Sequence, residues 1–194
     1  MIDNILNKKS SIRDFDKSEL DNGTILSLFE AARKAPSAFN EQPWRFIMAD
    51  RKNINDFDLI LGTLTDKNRA WAVNASILVI VLAKTNLTRN DNPNKHYLYD
   101  TASAVANLTF KARSLDIHVH QMGGFDSEKV KNNFSVSNQF EPAVVLAIGK
   151  KSELYLEPVE QPLELNRKSL NEILFGNKFA EPHSILSEEN QLII

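Results

Sequence analysis

Seven consecutive apolar residues, Ile77-Leu78-Val79-Ile80-Val81-Leu82-Ala83, constrain the fold more than any other feature of the chain. A run without polar alternation has no face to give to water, and its β-branched content favours a strand. It is far too short to cross a bilayer. The expected result is a strand buried on both faces. A second strand of this kind spans 143–148, stopped by Gly149-Lys150-Lys151. Two more strands are expected. One covers 45–49, and the other, 116–121, alternates Ile117 and Val119 with His118 and His120.

Helical patterns lie between these strands. Residues 2–8 place Ile2, Ile5 and Leu6 on one face of a short helix. Residues 18–35 carry a broad apolar face, with Ser18 and Asp21 as candidate N-caps and Gly23 as a weak point near the start. Residues 50–63 are expected as a helix bearing Ile54, Phe57, Ile60 and Leu61. Residues 96–115 read as a long helix whose Ala102, Val105, Ala106, Thr109 and Ala112 share one side, suited to close helix packing. Short helices follow at 126–132 and 170–175. The stretch 85–94, rich in Asn, Asp, Thr and Pro, is a loop. Residues 152–166 form an acidic, proline-containing arm, and 177–194 a tail with an apolar end. No internal repeat or linker interrupts the chain, so one α+β domain over residues 1–194 is expected.

Composition excludes more than it selects. With 42% hydrophobic and 25% charged residues, the chain fits an ordinary soluble globular domain. A net charge of −2 gives no reason to expect nucleic-acid binding. There is no cysteine, which removes disulfides, thiolate metal sites and cysteine nucleophiles. The N-terminus lacks a signal-peptide pattern, and a cytoplasmic location is expected.

Four stretches carry candidate chemistry. In Lys8-Lys9-Ser10-Ser11-Ile12-Arg13-Asp14-Phe15, the alternation of Lys9, Ser11 and Arg13 would project two cations and a hydroxyl to one side if extended. That suits a phosphate, but also a solvated basic segment. The stretch Pro-Ser-Ala-Phe-Asn-Glu-Gln-Pro-Trp at 36–44 has two prolines and cannot be continuous helix. Ser37, Asn40 and Gln42 then sit on a stiffened loop, ready for a flat heteroatom-rich ligand or merely joining a helix to a strand. Met122-Gly123-Gly124-Phe125-Asp126 permits close approach of a ligand to the backbone, or simply turns the chain into a helix capped by Asp126. Arg167 and Lys168 stand before a helix N-terminus, where an anion bound between them and the helix would account for the placement. His118 and His120 lack a third ligand nearby and read as strand surface positions rather than a metal site.

Taken together these blocks resemble, in order, those of the FMN-dependent nitroreductases: Lys8–Phe15, Pro-Ser-x-x-Asn-x-Gln-Pro-Trp, Gly123-Gly124-Phe125-Asp126 and Arg167-Lys168-Ser169-Leu170-Asn171-Glu172. One departure is Ser10, at a position where many relatives have a second arginine. The resemblance implies a nitroreductase-like α+β fold: a central, mostly antiparallel sheet flanked by helices, in an intertwined homodimer with the long helix at its centre. It implies bound FMN, with Lys9, Ser10, Ser11 and Arg13 at the phosphate and ribityl chain. It also assigns Pro36, Ser37, Ala38, Asn40 and Asn68 to the flavin. A backbone N–H of Gly123 or Gly124 would meet N5, and Arg167, with Lys168, would make a second phosphate contact. Phe39 is the candidate for lining the acceptor site.

The activity implied is NADH- or NADPH-driven reduction of nitroaromatics, quinones or related electrophiles, a ping-pong cycle through flavin N5 that needs no catalytic side chain. The same blocks also suit another flavin reaction, such as dehydrogenation or dehalogenation, or a non-catalytic flavin-binding protein.

Overall fold

The computed structural model describes residues 5–6, 11–153 and 167–186. The expected helix over 2–8 is described only at Ile5 and Leu6, and Lys9, Ser10, most of the 152–166 arm and residues 187–194 lie outside the described residues. The chain divides into two compact units, Met1–Tyr155 and Leu156–Ile194. The boundary between them falls within the 152–166 stretch.

The first unit is a four-stranded sheet with helices on both faces. Its elements run α1 (Asn22–Arg33), β1 (Trp44–Asp50), α2 (Ile54–Leu61), α3 (Asp66–Ala72), β2 (Ile77–Lys84), α4 (Tyr97–Ser114), β3 (His118–Met122), α5 (Ser127–Asn133) and β4 (Phe140–Gly149). The strand order is β1-β2-β4-β3, and every pair is antiparallel. β2 is fully buried from Ile77 to Ala83, as its unbroken apolar run requires. Ile77, Val79 and Val81 join the core under α1 and α4. Leu78, Ile80 and Leu82 join the opposite core, with Phe57 and Ile60 of α2 and Ala72 of α3. Among the described residues, no helix is long and apolar enough to cross a membrane.

β4 is longer than its apolar run because its first residues pair with the end of β2. The register moves from Val81↔Val144 to Leu82↔Pro142, leaving Ala143 as an extra residue. Pro142 has no N–H for the ladder, and a bulge beside it accommodates that loss.

Helix ends differ from expectation for local reasons. α1 begins at Asn22 rather than 18, because the Asp21 carboxylate accepts from Thr24 N at 2.9 Å and fixes the cap there. α2 begins at Ile54 rather than 50, with Asn53 at its cap, while β1 extends to Asp50. In α4 the buried face is Thr101, Ala104, Val105, Leu108 and Ala112. Of the stripe expected to pack, Ala102 is exposed and Ala106 and Thr109 are half-buried. That stripe continues outward to exposed Leu98 and Tyr99.

The second unit, described over 167–186, contains two three-residue 3-10 turns, Leu170–Glu172 and Ser184–Leu186. The helix expected over 170–175 is therefore only the first of these. Its Ser169 N–H donates to the Glu172 carboxylate at 2.9 Å, a capping box that closes the start of the turn. Arg167 and Lys168 are both exposed.

Candidate functional site

Ser11, Ile12 and Arg13 are held against the β3 edge. Ile12 is buried, while Ser11 and Arg13 remain exposed on either side of it. The extended geometry expected here is interrupted: Ser11 has φ 68°, a left-handed conformation uncommon for a residue with a side chain. Farther along, Phe15 bridges to Lys151, and Asp16 N–H donates to Lys150 O at 3.2 Å. The first block thus runs along the β3–β4 side of the sheet.

His120 fastens that block. Its Nδ1 lies 2.8 Å from the Ile12 carbonyl, and a carbonyl can only accept, so Nδ1 carries the proton. Trp71 packs on the imidazole at 4.4 Å between centroids and on Phe15 at 6.3 Å. Burial lowers the His120 pKa from its ordinary 6.5, and the Arg13 charge acts in the same direction. The bonds to the Ile12 and Ser11 backbone work against this shift without reversing it. The strand alternation had placed His118 and His120 at the surface. Both are half-buried, because their face is covered in the tertiary structure.

The glycine turn follows β3 directly. Neither glycine has a positive φ, so conformational freedom is not their reason. Gly124 is tightly packed: a Cβ there would stand 2.8 Å from Asn68 Nδ2 and 3.1 Å from Thr65 Oγ1. Asn68 Nδ2 donates to Gly124 O at 3.0 Å, and Thr65 N–H donates to the same carbonyl at 3.1 Å. Gly123 is the opposite case, since a Cβ there would meet nothing within 4 Å. Among the described residues, no backbone carbonyl accepts from the N–H of Gly123 or Gly124.

These features fit a flavin. The N–H groups of exposed Gly123 and half-buried Gly124 have no backbone acceptor among the described residues, so both donors are free to meet a ligand. Open space lies beside Gly123, and the buried Trp71 Nε1 has no partner among the described residues. Asn68 serves the turn with its amide nitrogen. A shallow depression of about 370 Å³ nearby, between Asp66 and Lys129, is less suited. Its cations already face carboxylates, Arg69 on Asp66 at 3.5 Å and Lys129 on Asp126 at 3.9 Å.

The loop over 36–44 is stiff, as its prolines foretell. Ser37 Oγ accepts from Gln42 N–H at 3.0 Å, and Ala38 N–H donates to the buried carboxylate of Asp100 at 3.0 Å. Phe39, Asn40 and Gln42 all have positive φ, from 48° to 57°. This strain is maintained by the anchors around it: Asp100, and the buried Pro43 and Trp44. Phe39 is turned outward and is 71% exposed, and Asn40 and Pro36 are exposed beside it.

One chain does not bring all the predicted residues together. Ser11, Arg13, Asn68, Gly123 and Gly124 gather near β3. The 36–44 loop leads into β1, at the opposite edge and three strand spacings away, or about 14 Å. Arg167 and Lys168 belong to the second unit. Sequence reasoning missed His120, Trp71 and Asp100. A half-buried histidine alternating with apolar residues was a usable signal for the first, but nothing local distinguished the other two.

The model of the nitroreductase family matches residues 6–150, and the chain belongs to that family. A protein of Staphylococcus haemolyticus, provisionally named an NAD(P)H nitroreductase, is 27% identical, covering 83% of this chain and 93% of that one. An oxygen-insensitive NADPH nitroreductase of Helicobacter acinonychis is 29% identical over 63% of this chain, which spans 59% of its length. Among solved structures, an FMN-containing oxidoreductase superposes with TM-score 0.80 at 28% identity, covering 91% of this chain and 92% of that one. A nitroreductase family protein of Clostridium difficile has the same fold, with TM-score 0.74 at 20% identity over 92% of this chain and 98% of that one.

Proposed function

We propose that the protein is an FMN-dependent oxidoreductase that uses NADH or NADPH to reduce nitroaromatic, quinone or related electrophilic acceptors. The observation that carries this reading is the glycine turn at the end of β3. Two N–H groups without a backbone acceptor stand beside open space, within a few residues of the segment that bears Ser11 and Arg13. When bound, FMN supplies a two-electron carrier between the nicotinamide and the acceptor.

The chain's own groups hold and orient. Ser11 and Arg13, with Lys9, Ser10, Arg167 and Lys168, supply hydroxyls and cations for the phosphate and ribityl chain. The Gly123 N–H meets the ring edge, and Gly124, held by Asn68 and Thr65, fixes its direction. Pro36, Ser37, Ala38 and Asn40 supply the other wall.

That wall lies across the sheet from the glycine turn in one chain, so the reading includes a homodimer in which a second copy brings the loop to the site. Exposed Leu98, Tyr99 and Phe110 on α4, with Tyr99 at 76% exposure, offer the apolar surface such a dimer would bury.

The test is the visible absorption of the purified protein, identification of flavin released by heat, and NAD(P)H turnover with a quinone or nitro acceptor. FMN released in near-stoichiometric amount from a dimer that turns over supports the reading. A colourless protein that takes up no added FMN rejects it.

A further inference from the structure

The stretch 85–94, featureless in sequence, is an ordered hairpin. Asn94 N–H donates to Thr85 O at 2.8 Å, Leu87 N–H to Asn92 O at 2.8 Å, and Asn86 bridges to Pro93. Leu87 is buried beneath it. The hairpin is tied to the 36–44 loop by one carboxylate. Glu41, whose side chain is only 6% exposed, accepts from Thr88 N–H at 2.8 Å and from the Thr88 hydroxyl, and Lys84 Nζ stands 3.8 Å away. The next residue after Thr88 is Arg89, whose guanidinium carbon lies 4.1 Å from the centroid of the Phe39 ring.

This pairing leaves the arginine's charge available. A guanidinium lying over a ring keeps its charge and can still offer N–H donors to an anion. Among the described residues, no carboxylate lies within 4 Å to form an ion pair with it. Glu41 is engaged by Thr88 and Lys84, and Asp91 accepts from Asn86 Nδ2 at 3.1 Å. A cation is thus held over the ring assigned to the acceptor wall, on a backbone anchored from both sides.

We propose that Arg89 is a specificity-determining residue that binds an anionic group, carboxylate or phosphate, on the molecule that docks against Phe39. This rests on the oxidoreductase reading above. Two sources share that chemistry: an acidic acceptor, and the additional phosphate that distinguishes NADPH from NADH. Charge-assisted, planar recognition of this kind discriminates by more than net charge, so lysine should replace arginine only in part.

The test compares wild type, Arg89→Ala and Arg89→Lys in the flavin-loaded protein at low ionic strength, where an exposed charge is least screened. KM is measured for 4-nitrobenzoate against 4-nitrobenzamide, and for NADPH against NADH. Wild type should prefer the charged member of at least one pair. Arg89→Ala should reduce that preference about tenfold, mainly in KM, with Arg89→Lys in between. A shift in the acceptor pair alone identifies an acidic acceptor, and a shift in the nicotinamide pair alone identifies the donor phosphate. Preferences equal in all three proteins overturn the proposal.

Calorimetric binding of 4-nitrobenzoate and of 2′-phospho-AMP to the same proteins keeps the two readings apart. If wild type turns over no substrate, the oxidoreductase reading falls. Arg89-dependent binding then still supports an anion site, and binding indifferent to Arg89 removes it.

Discussion

The side-chain amide of Asn68 donates to the Gly124 carbonyl at 3.0 Å, joining α3 to the turn after β3 across 56 positions of sequence. The two glycines of that turn consequently have different jobs, although in sequence they are equivalent neighbours. One makes room for the chain, and the other faces open space.

Gly123→Ala and Gly124→Ala should therefore fail in opposite ways. At Gly124 a methyl group displaces the Asn68 amide and costs that hydrogen bond, about 0.5–1.5 kcal/mol of stability. At Gly123 the methyl meets nothing within 4 Å, so the melting temperature should stay close to wild type. On the proposed flavin reading FMN affinity should nevertheless fall, because the methyl enters the space that reading gives to the ring edge. Urea denaturation of both apoproteins and flavin titration of both variants check this. Loss of stability in Gly123→Ala with FMN affinity intact would contradict the assignment.

Asp100 is the hidden anchor of the 36–44 loop. Its carboxylate, 4% exposed at the first turn of α4, is the acceptor for Ala38 N–H. Asp100→Ala leaves that donor without its partner, at a cost of about 1–3 kcal/mol. The loop's left-handed residues lose their restraint at the same time. The expected outcome is a lower denaturation midpoint together with faster proteolytic cleavage between residues 36 and 44. Midpoint loss without faster cleavage there would mean that Asp100 acts only within its helix.

The fold was largely legible in the sequence because its central constraint is compositional. A run such as Ile77–Ala83 admits few environments, and both faces of β2 are covered as it demanded. The Asp21 cap and the prolines of the 36–44 loop act locally, so local reading found them. α3 was not recognised as a helix because Asp66–Ala72 has only one buried residue, Ala72, and so shows no apolar periodicity. The hairpin at 85–94 owes its order to backbone pairing and to Glu41, a residue more than forty positions away. His120 was read as surface because alternation reports strand geometry, whereas the cover over that face comes from Ile12 and Trp71.

Arg167 and Lys168 are exposed cations of the second unit, and their assignment to the FMN phosphate is open to direct test. A charge-assisted hydrogen bond to phosphate is strong enough that Arg167→Ala should weaken FMN binding about tenfold to a hundredfold. Lys168→Ala should have a smaller effect, since lysine offers a point charge rather than a planar fork. Equilibrium dialysis of FMN, with riboflavin as the control lacking phosphate, provides the measure. Equal losses for FMN and riboflavin would exclude a phosphate contact.

The His120–Ile12 bond should make the first block sensitive to pH. Burial and the nearby Arg13 charge lower the folded-state pKa of His120, while in the unfolded chain it titrates near 6.5. Below 6.5 the unfolded state therefore binds more protons than the folded state, and stability falls as pH drops. The loss runs from 6.5 down through the lowered folded value and then levels off. Above 6.5 His120 is neutral in both states and contributes no slope. His120→Phe retains an aromatic partner for Trp71 but removes both the proton equilibrium and the bond to Ile12. The variant should thus be less stable than wild type at pH 8, with a smaller further loss between pH 7 and 5.5. Urea midpoints of both proteins across that range measure the difference. Parallel pH profiles would show that His120 is not the group responsible, and that its ring merely fills space beside Trp71.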